Sequence, residues 1–70
     1  MVLPMLKIEV EREIDGRWIA ELPALPGVLA YGKTRAEARA HAMALALRTI
    51  ADRIENGEPV PDEAQNLFAA

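Results

Sequence analysis

The chain contains no cysteine, so neither disulfide bonds nor thiolate-bound metals can stabilise its 70 residues. It has one tryptophan, one tyrosine and one phenylalanine, too few aromatic rings for a platform that stacks nucleic-acid bases. No apolar run approaches the roughly 20 residues that a membrane span needs. Residues 1–6 lack the basic region with which a signal peptide begins. We therefore expect a cytoplasmic protein that makes no contact with a membrane.

Basic side chains are also scarce, because eight lysines and arginines stand against 11 acidic residues and give a net charge of −3. A free-standing nucleic-acid binder needs a basic face for the phosphates, so the charge disfavours that class and fits a basic protein partner better. A chain of this length buries only about 60% of its unfolded surface, and self-association commonly supplements so small a core. The sequence predicts one domain, residues 1–70, with a core over about residues 5–57 and an extended segment over residues 58–70.

The first part of the chain predicts a β-hairpin that turns at Asp15-Gly16. Apolar and charged residues alternate on both sides of the turn, as in half-buried strands. A three-residue loop over residues 14–16 keeps one face apolar, whereas a two-residue loop would place apolar residues opposite glutamates. The longer loop needs a positive φ at its last position, which Gly16 supplies. The pairs that it predicts are Arg12–Trp18, Val10–Ala20 and Ile8–Leu22. We expect Trp18 to anchor the sheet–helix core, with Arg12 stacked across the strand pair.

A proline corner and a wholly apolar strand follow the hairpin. Pro23 and Pro26 have no N–H to donate, so residues 23–27 are predicted to leave the sheet and turn. Residues 28–31 include no charged side chain, which is typical of a strand that is covered on both faces or lies at an interface. The candidate interface residues on this strand are Val28, Leu29 and Tyr31.

One long helix is predicted over about residues 35–55. Thr34 and Glu37 have the spacing of a capping box, and Asn56-Gly57 is a suitable left-handed terminator. A narrow stripe at helical spacing is predicted to face the core, and it consists of Ala36, Ala40, Met43, Leu47, Ile50 and Ile54. A second apolar strip is predicted to point outward and to contact a partner helix, and it consists of Ala38, Ala42 and Leu45. The alternative explanation of this strip is that alanine is the best helix former.

The end of the chain is predicted to be extended. Residues 58–61 form a stiff link, and residues 65–68 form a short final strand whose apolar residues, Leu67 and Phe68, complete the candidate interface. The predicted fold is α+β in the order β-β-β-α-β. It has an antiparallel three-stranded sheet, one long helix packed on one face of the sheet, and a short C-terminal strand.

The sequence shows no catalytic constellation. His41 is the only histidine, and its helical phase indicates a solvated or partly covered side chain. Glutamates at positions 9, 11, 13 and 21 share one strand face and could hold a divalent metal for an enzyme. Lys7 and Arg17 beside them favour a solvated charged face instead. We expect no enzyme activity, no metal and no cofactor.

Six motifs, in order, resemble those of the HicB-like antitoxin family over roughly residues 6–61. They are Asp15-Gly16, Trp18-Ile19-Ala20, Pro23-Ala24-Leu25-Pro26-Gly27, Gly32-Lys33-Thr34, Glu37-Ala38 and Gly57-Glu58-Pro59-Val60-Pro61. Family members commonly carry a cysteine after the proline-glycine corner, where this chain has Val28.

The resemblance implies a partial ribonuclease-H-like fold without ribonuclease activity. It implies a homodimer or tetramer that caps a small basic RNA-cleaving toxin of the HicA type and covers the catalytic histidine of that toxin. Many such antitoxins continue into a DNA-binding module, but this chain ends at Ala70, so we do not expect direct DNA binding. The alternative is a stand-alone homo-oligomer of the same fold, with another binding role and no paired toxin.

Overall fold

The computed structural model describes residues 5–68 and has the predicted α+β architecture. Its elements, in chain order, are β1 (Glu9–Arg12), β2 (Trp18–Glu21), β3 (Leu29–Gly32), α1 (Arg35–Glu55) and α2 (Asp62–Gln65). The strands form one antiparallel sheet in the order β1-β2-β3, and α1 packs on one face of that sheet. The predicted domain also includes residues 1–4 and 69–70, which lie outside the described residues.

The hairpin between β1 and β2 has the predicted three-residue loop. The pairs Arg12–Trp18 and Val10–Ala20 are confirmed, while Ile8 and Leu22 lie just beyond the strand ends. The N–H of Gly16 donates to the carbonyl of Glu13 at 3.0 Å, and Gly16 has the predicted positive φ of 91°. The loop therefore sets a register that places all the apolar residues of the hairpin strands on the helix side, except Ile19.

The proline corner is a compact turn that is anchored by a buried leucine. Leu25 is fully buried, its N–H donates to the carbonyl of Leu22 at 3.0 Å, and its carbonyl accepts from Val28 at 2.9 Å. The N–H of Leu22 in turn donates to the carbonyl of Val28 at 3.2 Å, where β3 approaches β2. The corner thus contributes a core residue while it carries the chain from β2 to β3.

Both ends of α1 are capped as the sequence predicts. The N–H of Glu37 donates to Thr34 Oγ1 at 3.0 Å, and Glu37 Oε1 accepts from the N–H of Lys33 at 3.2 Å. In a capping box the N–H of the N-cap residue, here Thr34, donates to the Glu37 side chain. Here the donor is the N–H of the preceding residue, Lys33. At the other end, Gly57 has a φ of 70°, and the N–H of Glu58 donates to the carbonyl of Arg53 at 2.8 Å. This is the Schellman arrangement, and it ends the helix at the predicted residue.

The predicted core stripe of α1 is wrong, because the helix buries the other apolar strip. The buried residues of α1 are Ala38, Ala42, Ala46 and Ile50. Of the predicted stripe, only Ile50 is buried, and the exposed members are Ala36, Ala40, Met43, Leu47 and Ile54. Ala38 and Ala42, which were predicted to point outward, are completely buried.

The physical reason lies in the close approach of α1 to β3. A Cβ atom added to Gly32 would lie 2.3 Å from the backbone nitrogen of Ala38. Such a short separation at the start of α1 leaves room only for small side chains at that point. Alanines therefore face the sheet there, Ile50 is buried further along the helix, and Met43, Leu47 and Ile54 are left exposed.

The predicted final strand over residues 65–68 is also wrong. Residues Asp62–Gln65 form the short helix α2, and the residues after it form a turn. Ala64 is buried against the core, and Val60 packs beside it. The acidic residues Asp62 and Glu63 lie in the first turn of α2, where negative charges stabilise the N-terminus of a helix. Within residues 5–68, neither helix combines the length and apolar character needed to cross a bilayer.

Candidate interaction surfaces

Within residues 5–68, the sheet has one face packed against α1 and one face that no helix covers, which we call the outer sheet face. Residues that alternate with the core-facing ones lie on it. Its apolar centre consists of Ile19, Leu29 and Tyr31, and its acidic residues are Glu9, Glu11, Glu13 and Glu21. The glutamates are on one face, as the sequence predicts. The surface thus combines a small apolar patch with a row of negative charges.

The strand register sets the geometry of the apolar centre. Ile19 on β2 lies directly opposite Tyr31 on β3 and opposite Glu11 on β1. Leu29 lies opposite Glu21. Leu29 and Tyr31 are 38% and 40% exposed. These two predicted interface residues therefore present accessible apolar area next to carboxylates.

Two glutamates of the outer sheet face lie directly opposite each other, namely Glu9 and Glu21. Like charges at directly opposite positions destabilise a sheet. Lys7 Nζ lies 3.9 Å from Glu9 Oε1, at the long end of an ion-pair distance, and the two side chains are 77% and 44% exposed, so this ion pair offsets little of the repulsion. The repulsion between Glu9 and Glu21 therefore lowers the free energy of unfolding.

Arg17 lies at the edge of the outer sheet face and is held in place by two neighbours. Its guanidinium carbon is 4.4 Å from the centroid of the Tyr31 ring, a cation–π distance. Its Nε donates to Asp15 Oδ2 at 2.7 Å, and its backbone N–H donates to Asp15 Oδ1 at 3.1 Å. The backbone hydrogen bond from Arg17 is the main reason that the pKa of Asp15 is lowered. Arg17 is therefore paired with Asp15 and Tyr31.

The outer edge of β3 is partly covered by His41. Hydrogen-bonded and non-hydrogen-bonded pairs alternate along antiparallel strands, so the bond between Leu22 and Val28 implies that Tyr31 directs its backbone groups away from β2. His41 Nδ1 lies 2.8 Å from the carbonyl oxygen of Tyr31. Because a carbonyl only accepts, Nδ1 carries the proton in this contact. His41 is exposed, and its bond occupies one acceptor on a strand edge, which otherwise invites pairing with another chain.

Trp18 is half-buried and packs against the core, on the helix side of the sheet. The cation over its ring is Arg35 at the start of α1, with the guanidinium carbon 5.9 Å from the ring centroid. Arg12 was predicted to stack on the Trp18 ring. It lies opposite Trp18 on β1, but the guanidinium over the ring is that of Arg35. The ring therefore bridges the sheet and the helix start.

The other predicted interface residues divide into two groups. Val28, Ala38 and Ala42 are buried in the core, so none of them offers accessible surface in the single chain, and Leu45 is half-buried against the core. Leu67 and Phe68 are exposed, as are the two strand residues described above.

Sequence reasoning missed another surface, which lies on α1 and which we call the helix seam. It consists of Ala36, Ala40, Met43, Leu47 and Ile54, all of which are exposed. The exposed fractions of Met43, Leu47 and Ile54 are 40%, 57% and 52%. The signal was present in the sequence as an apolar stripe, but it was assigned to the core.

Among residues 5–68, no group of three or more histidine or acidic side chains is placed to hold a metal ion. Comparisons of the chain with protein-family models, with curated proteins and with solved structures found no match. The resemblance to HicB-like antitoxins therefore depends on the sequence motifs alone.

Proposed function

We propose that the chain is a HicB-like, antitoxin-type interaction module in the cytoplasm. It binds a small basic RNA-cleaving protein of the HicA type through the outer sheet face. The observation that carries the proposal is the combination of an apolar centre and a row of glutamates on that face. Inhibition is by occlusion, since the antitoxin covers the catalytic site of its partner and needs no catalytic group of its own.

The charges of the outer sheet face support a basic partner. Glu9, Glu11 and Glu21 lie on neighbouring strands, and their combined potential raises the rate at which a positively charged protein arrives. The opposed pair of glutamates lowers the stability of the free chain. A cationic partner would relieve that repulsion, so this gain in free energy would add to the affinity.

The apolar centre supports a specific contact once the partner has arrived. Aromatic and apolar side chains at the centre of an interface supply most of its binding energy, while a charged rim sets the association rate. Tyr31 is suited to the central position because its ring is held by Arg17 at 4.4 Å and loses little freedom on binding.

The alternative is a stand-alone homo-oligomer with another binding role and no paired toxin. It is favoured by the exposed helix seam, which offers a surface for association that is independent of the outer sheet face.

The proposal is tested by co-expression with the product of a small basic reading frame adjacent to the gene of this chain. We expect the two proteins to co-purify and the chain to restore growth of cells that express the basic protein. Absence of both binding and rescue would contradict the antitoxin function. If no such reading frame exists, the stand-alone alternative is favoured.

A matched pair of variants locates the contact. Glu11→Lys with Glu21→Lys reverses two charges on the outer sheet face, and Glu55→Lys with Glu58→Lys makes the same change elsewhere. We expect the first pair to slow association by about tenfold or more at low salt, with a smaller difference at high salt. Equal effects of the two pairs would point to net charge rather than to the outer sheet face.

A further inference from the structure

The helix seam has the spacing of a helix–helix contact. Together with the buried Ile50, its members follow one another at intervals of 4, 3, 4, 3 and 4 residues. This is the 3.5-residue repeat by which one helix packs along another at a small crossing angle. On α1 most of this repeat faces away from the sheet, with Met43, Leu47 and Ile54 all at least 40% exposed.

The core of the single chain is small, so the free energy of unfolding is low while the apolar residues of the seam stay exposed. Of the nine buried apolar residues described, five are alanines, and Leu25 is the largest side chain that is fully buried. Burying a side chain such as leucine or isoleucine removes apolar area from water and stabilises a protein. Large apolar side chains of α1 thus contribute little while they remain exposed, and covering them would strengthen a marginal fold.

We infer that two copies of this chain associate through the helix seam. A second copy is available wherever the chain is made, and a two-fold axis lets the same surface serve both partners. The proposed antitoxin function is not needed for this inference, because the seam lies on α1 and shares no residue with the outer sheet face.

Charge distinguishes the helix seam from the outer sheet face as the site of a second copy. Two outer sheet faces would bring rows of glutamates together, and like charges that face each other across an interface oppose association. Helix α1 carries four arginines and three acidic residues, so its charges nearly balance. Two seams therefore meet without strong net repulsion.

The size of the surface sets the expected strength of the dimer. A helix of 21 residues is about 31 Å long. Stable interfaces bury about 800 Å² on each partner, and we expect a single helix face with three large exposed apolar side chains to bury less. The dimer is therefore expected to be reversible and to depend on concentration.

The test is sedimentation of the purified chain across micromolar to millimolar concentrations. The wild-type chain is expected to reach twice the mass of a 7.7 kDa monomer, and Leu47→Glu is expected to remain monomeric. Leu29→Glu on the outer sheet face is the matched control and is expected to dimerise as the wild type does. Circular dichroism of each variant checks that the fold is retained.

Three results would overturn the inference. The first is a wild-type chain that stays monomeric throughout, and the second is a Leu47→Glu variant that still dimerises. The third is loss of the dimer in Leu29→Glu alone, which would place the second copy on the outer sheet face.

A second measurement remains decisive if Leu47→Glu fails to fold. Because the chain has no cysteine, Met43→Cys together with Leu47→Cys introduces thiols only at the seam. Oxidation is expected to give a covalent dimer, whereas Ile14→Cys at the hairpin tip gives none. Equal cross-linking of the two proteins would contradict the inference.

Discussion

The outer sheet face and the helix seam are both exposed and both apolar at their centres, but they differ in charge. The outer sheet face surrounds Ile19, Leu29 and Tyr31 with glutamates, whereas the seam lies on a helix whose charges nearly balance. An acidic surface repels its own copy and attracts a basic protein. A nearly neutral, regularly spaced surface suits a second copy. The difference supports our proposal that one small domain makes two separate contacts.

Both surfaces depend on the close packing between α1 and β3, so disrupting that packing has the largest expected effect. Gly32→Ala would place a Cβ atom 2.3 Å from the backbone nitrogen of Ala38. Because backbone atoms cannot move aside as a flexible side chain can, we expect a loss of about 3 kcal/mol in the free energy of unfolding. Urea denaturation measures it, with Lys33→Ala as an exposed neighbouring control. An unchanged midpoint for Gly32→Ala would show that helix and sheet are not packed this closely.

The next prediction separates the two faces of α1. Ala42→Leu adds bulk to a fully buried position, and Ala40→Leu adds the same bulk to the exposed seam. We expect the first change to lower the free energy of unfolding by about 1–3 kcal/mol through overpacking. The second should change it by less than about 0.5 kcal/mol in the monomer and should strengthen self-association. Thermal denaturation measures both changes. A larger loss of stability in Ala40→Leu than in Ala42→Leu would indicate that the stripe containing Ala40 faces the core, as the sequence first suggested.

This pair of variants also marks the limit of what the sequence could predict. Two apolar strips lie on α1, and periodicity alone does not say which one faces the sheet. Gly32 determines which strip faces the sheet. Because Gly32 has no side chain, α1 packs so close to β3 that only small residues fit between them at this point. That information is the distance between α1 and β3, which is a tertiary property, so the periodic pattern of α1 alone could not supply it.

Local chemistry, in contrast, predicted the hairpin and the helix ends well. Gly16 fixed the loop length through its positive φ, and Thr34 and Gly57 fixed the bounds of α1. Those residues act on their own neighbours, so their effect is visible in the sequence. The final segment was assigned incorrectly, because residues 65–68 have no strong local signal, whereas Asp62 and Glu63 favour the start of a helix just before them. The bond from His41 to the Tyr31 carbonyl connects α1 with β3 and had no signal in the sequence.

A smaller effect is expected where the outer sheet face opposes like charges. Glu9→Gln removes the repulsion between Glu9 and Glu21, so we expect the free energy of unfolding to rise by about 0.2–1 kcal/mol. The same change should slow association with a basic partner at low salt. Glu55→Gln, away from the sheet, is the control and should do neither. A destabilised Glu9→Gln variant would contradict a functional explanation of this charge pair.

The smallest effect concerns the hairpin and its dependence on pH. The backbone N–H of Arg17 holds the pKa of Asp15 below its ordinary value, so the ionised carboxylate stabilises the folded chain. This contribution is present above the unfolded-state pKa and is lost as pH falls through the lower folded-state pKa. We therefore expect Asp15→Asn to reduce the loss of stability on acidification below about pH 4. Denaturation curves at neutral and acidic pH would measure the difference, and identical pH profiles for the two proteins would contradict it.

The most direct test of two separate contacts is the affinity of the adjacent gene's basic product for the wild-type chain, Tyr31→Ala and Leu47→Glu, measured by calorimetry. Loss of a central aromatic side chain costs about 1–3 kcal/mol, so Tyr31→Ala should weaken binding by roughly tenfold to a hundredfold. Leu47→Glu should leave the affinity per chain unchanged, although it abolishes self-association. Weakening by Leu47→Glu with no effect of Tyr31→Ala would contradict the assignment of the outer sheet face to the partner and the helix seam to the second copy.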